Sequence, residues 1–235
     1  MTTLPALSGD SMARRIRHEL GMRVLPFLVF FVLFLYDLEG MQGDVRRAIA
    51  HHTLVGSLPN LVAEALYLAF VCLNVVLFVA RPPAIRRDNR LGAWAMAMLG
   101  TFGLVIGPAL PGGPRLFDLG AAGADVRLAL AISSMVLAIG TLCVLGGSFG
   151  LTPEARRLVS SGPYRMVRHP LYLCETVNFV GLALVSGHAT VAALTVVVIG
   201  AQVCRARFEE ALLSAAFPEY SEAMADVPHF LPGIY

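Results

Sequence analysis

The sequence predicts an all-α fold, a polytopic membrane helical bundle of about six transmembrane segments including a C-terminal helical hairpin. Three observations predict it. Of the 235 residues, 57% are hydrophobic and only 14% are charged, with a mean hydropathy of +0.70, whereas soluble domains carry roughly 25% charged residues. Apolar windows near the ~20 helical residues needed to cross a hydrocarbon core about 30 Å thick recur along the chain. The 18 basic residues are all arginine, and most fall on alternate connections between those windows.

The first window runs from Met22 to Tyr36, the second from Leu58 to Ala80, the third from Leu91 to Leu110 and the fourth from Leu128 to Gly150. Leu171 to Val185 and Ala189 to Cys204 then form a pair joined by the tripeptide SGH, a connection that suits only a tight helical hairpin. Both members are slightly short for a full crossing. Beyond them Phe208, Leu212, Ala216, Tyr220 and Met224 recur every four residues, the stripe of a cytoplasmic C-terminal helix lying on the end of the bundle. Pro228 and Pro232 end it. No small-residue cleavage site clearly follows the first window, which therefore reads as a retained helix and not a signal peptide. The expected organisation is a single membrane domain over residues 1–235, with four N-terminal spans in 1–150 and the chemistry in 151–235.

Positive residues collect on the cytoplasmic side of short loops. With the N-terminus inside, 14 arginines fall on inside segments, and Arg46, Arg47, Arg115 and Arg127 fall outside. The expected location is an inner (plasma) membrane with both termini cytoplasmic. A net charge of +2 gives no argument for nucleic acid. Cys72, Cys143, Cys174 and Cys204 lie in or beside apolar runs without CxxC spacing and read as buried free thiols, so no metal is expected. Membrane lipids are the expected surroundings, and no obligate protein partner is evident.

Polar residues in such a chain need a reason. In SGPYRMVRHPLY, residues 161–172, Pro170 suits the first position of a helix, which puts Arg168 and His169 at the entry of the fifth span. Unpaired N–H groups and the positive helix end make such an entry attractive to an anion, with Arg165 and Arg168 adding charge. Tyr172, Glu175 and Phe179 then share one face, with Asn178 alongside. Glu175 and Asn178 fall inside expected hydrocarbon, where an ionisable group costs several kcal/mol (~3) unless it faces protein or a water-filled cavity. Taken singly, Arg156, Arg157 and Arg165 read as membrane-surface anchors, Tyr164 as an aromatic-belt residue, and Glu64 and Asn74 as structural. The second cluster is RARFEE, residues 205–210. On a continuous helix it would make ordinary pairs, Arg205 with Glu209 and Arg207 with Glu210. The hairpin, however, returns it to the same membrane face as the first cluster.

Together, Gly162, Pro163, Tyr164, Arg165, Arg168, His169, Pro170 and Tyr172, then Arg205, Glu209 and Glu210, then FPEY at 217–220 and FLPGIY make residues 140–235 resemble the integral-membrane methyltransferases. That family includes the isoprenylcysteine carboxyl methyltransferases and the phospholipid N-methyltransferases. The resemblance implies S-adenosylmethionine as cofactor, held by Gly162, Tyr164, Arg168, His169, Pro170, Tyr172, Leu173 and Glu209. It also implies a lipophilic small-molecule acceptor arriving from the bilayer, with Arg205 and Glu210 as the catalytic residues bordering it. Glu175 and Asn178 would line the acceptor tunnel. Arg205 and Glu210 are about 140° apart on an ideal helix, so they converge on one acceptor only if the helix ends or bends there. A sterol-reductase-type enzyme using NADPH, and a non-catalytic membrane scaffold, are the alternatives.

Overall fold

The computed structural model describes residues 9–103 and 113–230. It is an all-α bundle. Its elements are α1 (Gly9–Ala50), α2 (Leu54–Ala80), the two-residue strand β1 (Arg86–Arg87), α3 (Leu91–Phe102), α4 (Gly120–Leu145), the strand β2 (Glu154–Ala155), α5 (Pro170–Ser186), α6 (Ala189–Ala216) and α7 (Tyr220–Ala223). Among the described residues four helical stretches are long and apolar enough to cross a membrane: Pro26–Ala50, Leu54–Ala80, Gly120–Ser148 and Ala189–Ala216. Leu91–Phe102 and Pro170–Ser186 are shorter apolar helices.

Three elements differ from the sequence expectation. The segment expected to leave the membrane after Tyr36, with Arg46 and Arg47 in a loop, is instead the last part of α1. It contains no proline, and Arg47 reaches back one turn to Asp44, which supports the exposed face. The expected break after Cys204 is also absent, because residues 201–216 contain neither glycine nor proline and α6 runs straight through to Ala216. The stripe expected on a separate C-terminal helix is therefore divided. Phe208 and Leu212 belong to α6, Pro218 stops it, and buried Tyr220 and Met224 lie on α7 and the turn after it. The third window is helical as far as Phe102, and its last part, 104–110, lies outside the described residues. All four cysteines are free, but only Cys174 is buried; Cys72, Cys143 and Cys204 are exposed on the outside of the bundle.

The core lies where α1, α2, α4 and α5 meet. Phe30, Val71, Phe78, Leu142, Leu171 and Cys174 pack there with Phe149 and Leu151 of the segment after α4. Phe78 is wholly buried between the rings of Phe30 at 5.5 Å and Phe149 at 5.3 Å. Each apolar side chain removed from water in this way contributes about 1.5–3 kcal/mol where the surroundings are aqueous, and within a bilayer the gain is close packing. Small residues bring α3 and α6 together: a Cβ on Gly103 would come within 2.6 Å of Val198 Cγ2.

The connections gather at two ends. At one, β1 pairs antiparallel with β2, Arg86 opposite Ala155 and Arg87 opposite Glu154, and Arg86 Nη1 donates to Ala215 O of α6 at 2.7 Å. At the other, Leu116 N donates to Gly187 O at 2.7 Å and Ala189 N to Pro114 O at 3.0 Å, tying the hairpin turn to the segment before α4. The loop 81–90, the segment 146–170 and the end of α6 are thus neighbours at the arginine-rich end.

Candidate active site

The RHP run is built as a turn followed by a helix entry. Gly162–Arg165 form one 3₁₀ turn, with Gly162 at φ +57° against Val144, and Pro170 opens α5 at a position where its missing N–H costs nothing. The C-terminal segment runs beside the helix entry. Arg168 N donates to Pro228 O at 2.9 Å and His169 N to His229 O at 3.2 Å, so the C-terminal segment lies along it. Arg168 strengthens the join through Nε to Val227 O at 2.7 Å and Nη2 to Met224 O at 2.8 Å.

The continuous α6 carries the second cluster directly against this run. Tyr172 Oη donates to Glu209 Oε2 at 2.6 Å. Glu210 Oε1 accepts from His169 Nε2 at 2.8 Å and from His229 Nδ1 at 2.6 Å, while its Oε2 accepts from Arg168 Nη1 at 3.2 Å. The rings of His169 and Tyr172 stack in parallel at 5.3 Å. The pairings within 205–210 that a surface helix would make are replaced by bonds to α5 and to the C-terminal segment.

Arg205 is 3% exposed, and its guanidinium lies 4.6 Å over the Tyr172 ring. Its Nη1 donates to Thr101 Oγ1 at 3.1 Å, and its Nη2 to Leu151 O at 2.9 Å and Gly150 O at 3.4 Å. Nε has no hydrogen-bond partner among the described residues. On the continuous α6, Arg205 and Glu210 do not converge: Arg205 faces α3 and the 150–151 carbonyls, and Glu210 faces the two histidines.

Three spaces surround these groups. A cavity of about 280 Å³ is walled by Phe30, Phe70, Phe102, Phe149, Leu151 and Phe179, with Glu175, Asn178, Asn74, Thr101, Tyr67, Arg127 and Arg205 as its polar points. Two small gaps, about 30 and 40 Å³, lie between Tyr164, Arg168, His169 and Glu209, and Arg205 and Tyr172 also border the first. Arg205 therefore stands in the wall between the apolar cavity and the gaps. Glu175 is hydrogen-bonded by the Gln202 amide, and Gln202 is 1% exposed. Asn178 also borders a second large cavity, about 720 Å³, that contains Asp37, Asp44, Arg47 and Glu64. Asn74, read from sequence as structural, is buried, donates to Phe70 O at 2.8 Å and still borders the apolar cavity.

Of the expected cofactor residues, Tyr164, Arg168, His169, Tyr172 and Glu209 meet at the gaps, and Pro170 is buried at the head of α5. Gly162 is exposed, and Leu173 borders neither the apolar cavity nor the gaps. Burial pushes the phenols of Tyr164 and Tyr220 well above the ordinary tyrosine range, with Glu209 adding to the first shift and Glu210 to the second. Both remain neutral near pH 7. Four contributors carried no sequence motif: Thr101, Gln202, His229 and the carbonyls of 150–151. Thr101 and Gln202 were visible only as polar residues within apolar runs. Among the described residues no group of three His, Cys, Asp or Glu is placed to hold a metal ion.

The chain is similar to known proteins over part of its length. The chain is 34% identical over 110 residues to the nickel-cobalt-cadmium resistance protein NccN of Alcaligenes xylosoxydans xylosoxydans, covering 43% of this chain and 52% of that one. It is likewise 34% identical over 110 residues to the cobalt-zinc-cadmium resistance protein CzcN of Cupriavidus metallidurans, covering 51% of that protein. The chain thus spans about half the length of the curated relatives it matches. The family model of the phospholipid methyltransferases matches residues 119–220, a stretch that holds α4, the RHP run, the hairpin and the glutamate pair. The resemblance to the integral-membrane methyltransferases is therefore carried by residues 119–220, which match the phospholipid methyltransferase family.

Proposed function

We propose that this integral membrane protein transfers the methyl group of S-adenosylmethionine to a lipophilic acceptor, at the cytoplasmic face of the membrane. The observation that carries the reading is the junction of Tyr172 with Glu209 at 2.6 Å, next to a buried Arg205 that borders both the first gap and the apolar cavity. The chemistry of the residues suits the cofactor. Glu209 is a carboxylate for its ammonium or ribose groups, Tyr164 and His169 offer ring faces, and Arg168 offers charge to its carboxylate. The space does not yet suit it, since gaps of about 30 and 40 Å³ are far below the ~300 Å³ of a small-molecule site. Admission requires the C-terminal segment, held at Arg168, His169 and Glu210, to move away from α5.

When bound, the cofactor supplies an electrophilic methyl group on a sulfonium centre. The protein's part is placement and exclusion of water. Glu209, held by Tyr172, orients the donor side. Arg205 faces the acceptor side with an unused N–H, which suits an anionic or strongly polar acceptor atom held at the inner end of the apolar cavity. Glu210 acts on the site through His169, whose ring it fixes against Tyr172. The body of the acceptor lies among Phe30, Phe70, Phe102 and Phe179, with Glu175 and Asn178 along its length.

The reading is tested by incubating the purified protein with methyl-labelled S-adenosylmethionine and a membrane-lipid extract. Label in an organic-soluble product is expected. Absence of both label transfer and cofactor binding overturns the reading.

A further inference from the structure

Next to the site lies a buried ion cluster to which no role has yet been given. Glu154 of β2 receives three arginines. Arg81 Nη1 is 3.2 Å and Arg156 Nη2 2.5 Å from its Oε2, and Arg87 Nε is 2.8 Å from its Oε1. The side chains of Glu154, Arg81 and Arg156 are 1–2% exposed. Three guanidinium groups converge on this one carboxylate, and charges buried in this way are costly unless they are paired and hydrogen-bonded. Arg156 shows what the cluster fixes. Its Nη1 donates to Phe149 O at 3.1 Å and its Nε to Pro82 O at 2.9 Å, so the same guanidinium closes a loop from Phe149 to Arg156 and joins it to the end of α2. Arg81 completes the join by lying 4.6 Å over the ring of Phe78, which packs on Phe149. The loop has no slack: a Cβ on Gly150 would meet Glu154 Oε2 at 3.0 Å and Arg156 Nη1 at 3.1 Å.

The carbonyls exposed by this closed loop are those of Gly150 and Leu151, which hold Arg205. We infer that Glu154 is a positioning residue: by gathering Arg81, Arg87 and Arg156 it sets the 150–151 carbonyls that aim the Arg205 guanidinium into the wall between the two spaces.

This inference rests on the methyl-transfer reading for its kinetic consequence but not for its structural one, and the experiment separates the two. Glu154→Gln and Arg205→Lys are made singly and together in the full-length protein in lipid nanodiscs. Hydrogen exchange is followed over residues 149–156, and methyl transfer to lipid extract is followed with labelled cofactor. The expected results are faster exchange of 149–156 in Glu154→Gln with that of 175–185 unchanged, a turnover loss of about 30-fold, and a double variant no slower than Arg205→Lys alone, because both changes act on one group. Unaltered exchange of 149–156, or losses that multiply in the double variant, overturns the inference. Faster exchange in Glu154→Gln, with no transfer by the unaltered protein, upholds the clamp and instead counts against the methyl-transfer reading. If Glu154→Gln does not fold, Arg87→Gln, which removes the most exposed of the three arginines, takes its place with the same criteria.

Discussion

Tyr172 on α5 and Glu209 on α6 share a hydrogen bond of 2.6 Å across 37 residues of sequence, and Arg205 lies over the same tyrosine ring at 4.6 Å. The phenol therefore has its edge committed to a carboxylate and its face to a guanidinium. A hydrogen bond to a charged partner is worth about 1.5–3 kcal/mol. Tyr172→Phe keeps the ring under Arg205 but leaves Glu209 without its donor. The expected outcome is roughly tenfold weaker S-adenosylmethionine binding, read by calorimetry, together with a stability loss of about 1.5–3 kcal/mol, read by chemical denaturation.

The two glutamates of α6 should separate by assay. Glu210 ties α6 to the run before α5 through Arg168 and His169 and to the C-terminal segment through His229, whereas Glu209 is bonded to Tyr172 of α5. Glu210→Gln should lower the unfolding midpoint more than Glu209→Gln, by about 1–3 kcal/mol of stability. Glu209→Gln should weaken cofactor binding more than Glu210→Gln. Thermal denaturation and cofactor titration of both variants check the crossover, and one variant being worse in both assays contradicts it.

Arg205→Lys keeps the charge but cannot reach Thr101 and the two carbonyls with the same fork of N–H groups. Misplacement of a reacting partner by about 1 Å costs on the order of 100-fold in rate. Methyl transfer is expected to fall by that order while cofactor affinity stays within about threefold. Parallel losses in both would place Arg205 on the cofactor and not on the acceptor.

Glu175 lies on the apolar cavity and is held by Gln202. Glu175→Gln replaces the acid with an amide at little change of shape, so the order in which a panel of lipophilic acceptors is methylated should shift. Identical preference and rate in the variant would remove Glu175 from the acceptor's path.

Gly187 closes the hairpin in the left-handed region at φ +63°, and a Cβ there would come within 2.2 Å of Phe117 O. Gly187→Ala combines backbone strain with a backbone clash, so a loss of about 2 kcal/mol or more is expected. Chemical denaturation in detergent measures it, and an unchanged midpoint contradicts the tight join between the hairpin and the segment before α4.

Much of this molecule was legible because a membrane reduces the choices. Apolar windows and arginine placement located the helices, and Pro170 marked the start of α5 within a residue. The run from Gly162 to Tyr172 and the pair Glu209 and Glu210 were visible as two clusters, and the structure brings their side chains together at Tyr172 and His169. What escaped has physical reasons. Polar residues 205–210 look like the end of a span, yet α6 continues, with Arg205, Glu209 and Glu210 each bonded outside their own helix. The carbonyls that hold Arg205 belong to Gly150 and Leu151, residues whose side chains say nothing of that role. His229 lies in a proline-flanked tail, and only the fold brings its ring to Glu210.

The most direct test of the account is calorimetric titration of S-adenosylmethionine into the purified protein and into Glu209→Gln. The account predicts saturable binding to the unaltered protein and binding weakened about tenfold or more in the variant. No heat with the unaltered protein, or equal affinity in the two, contradicts it.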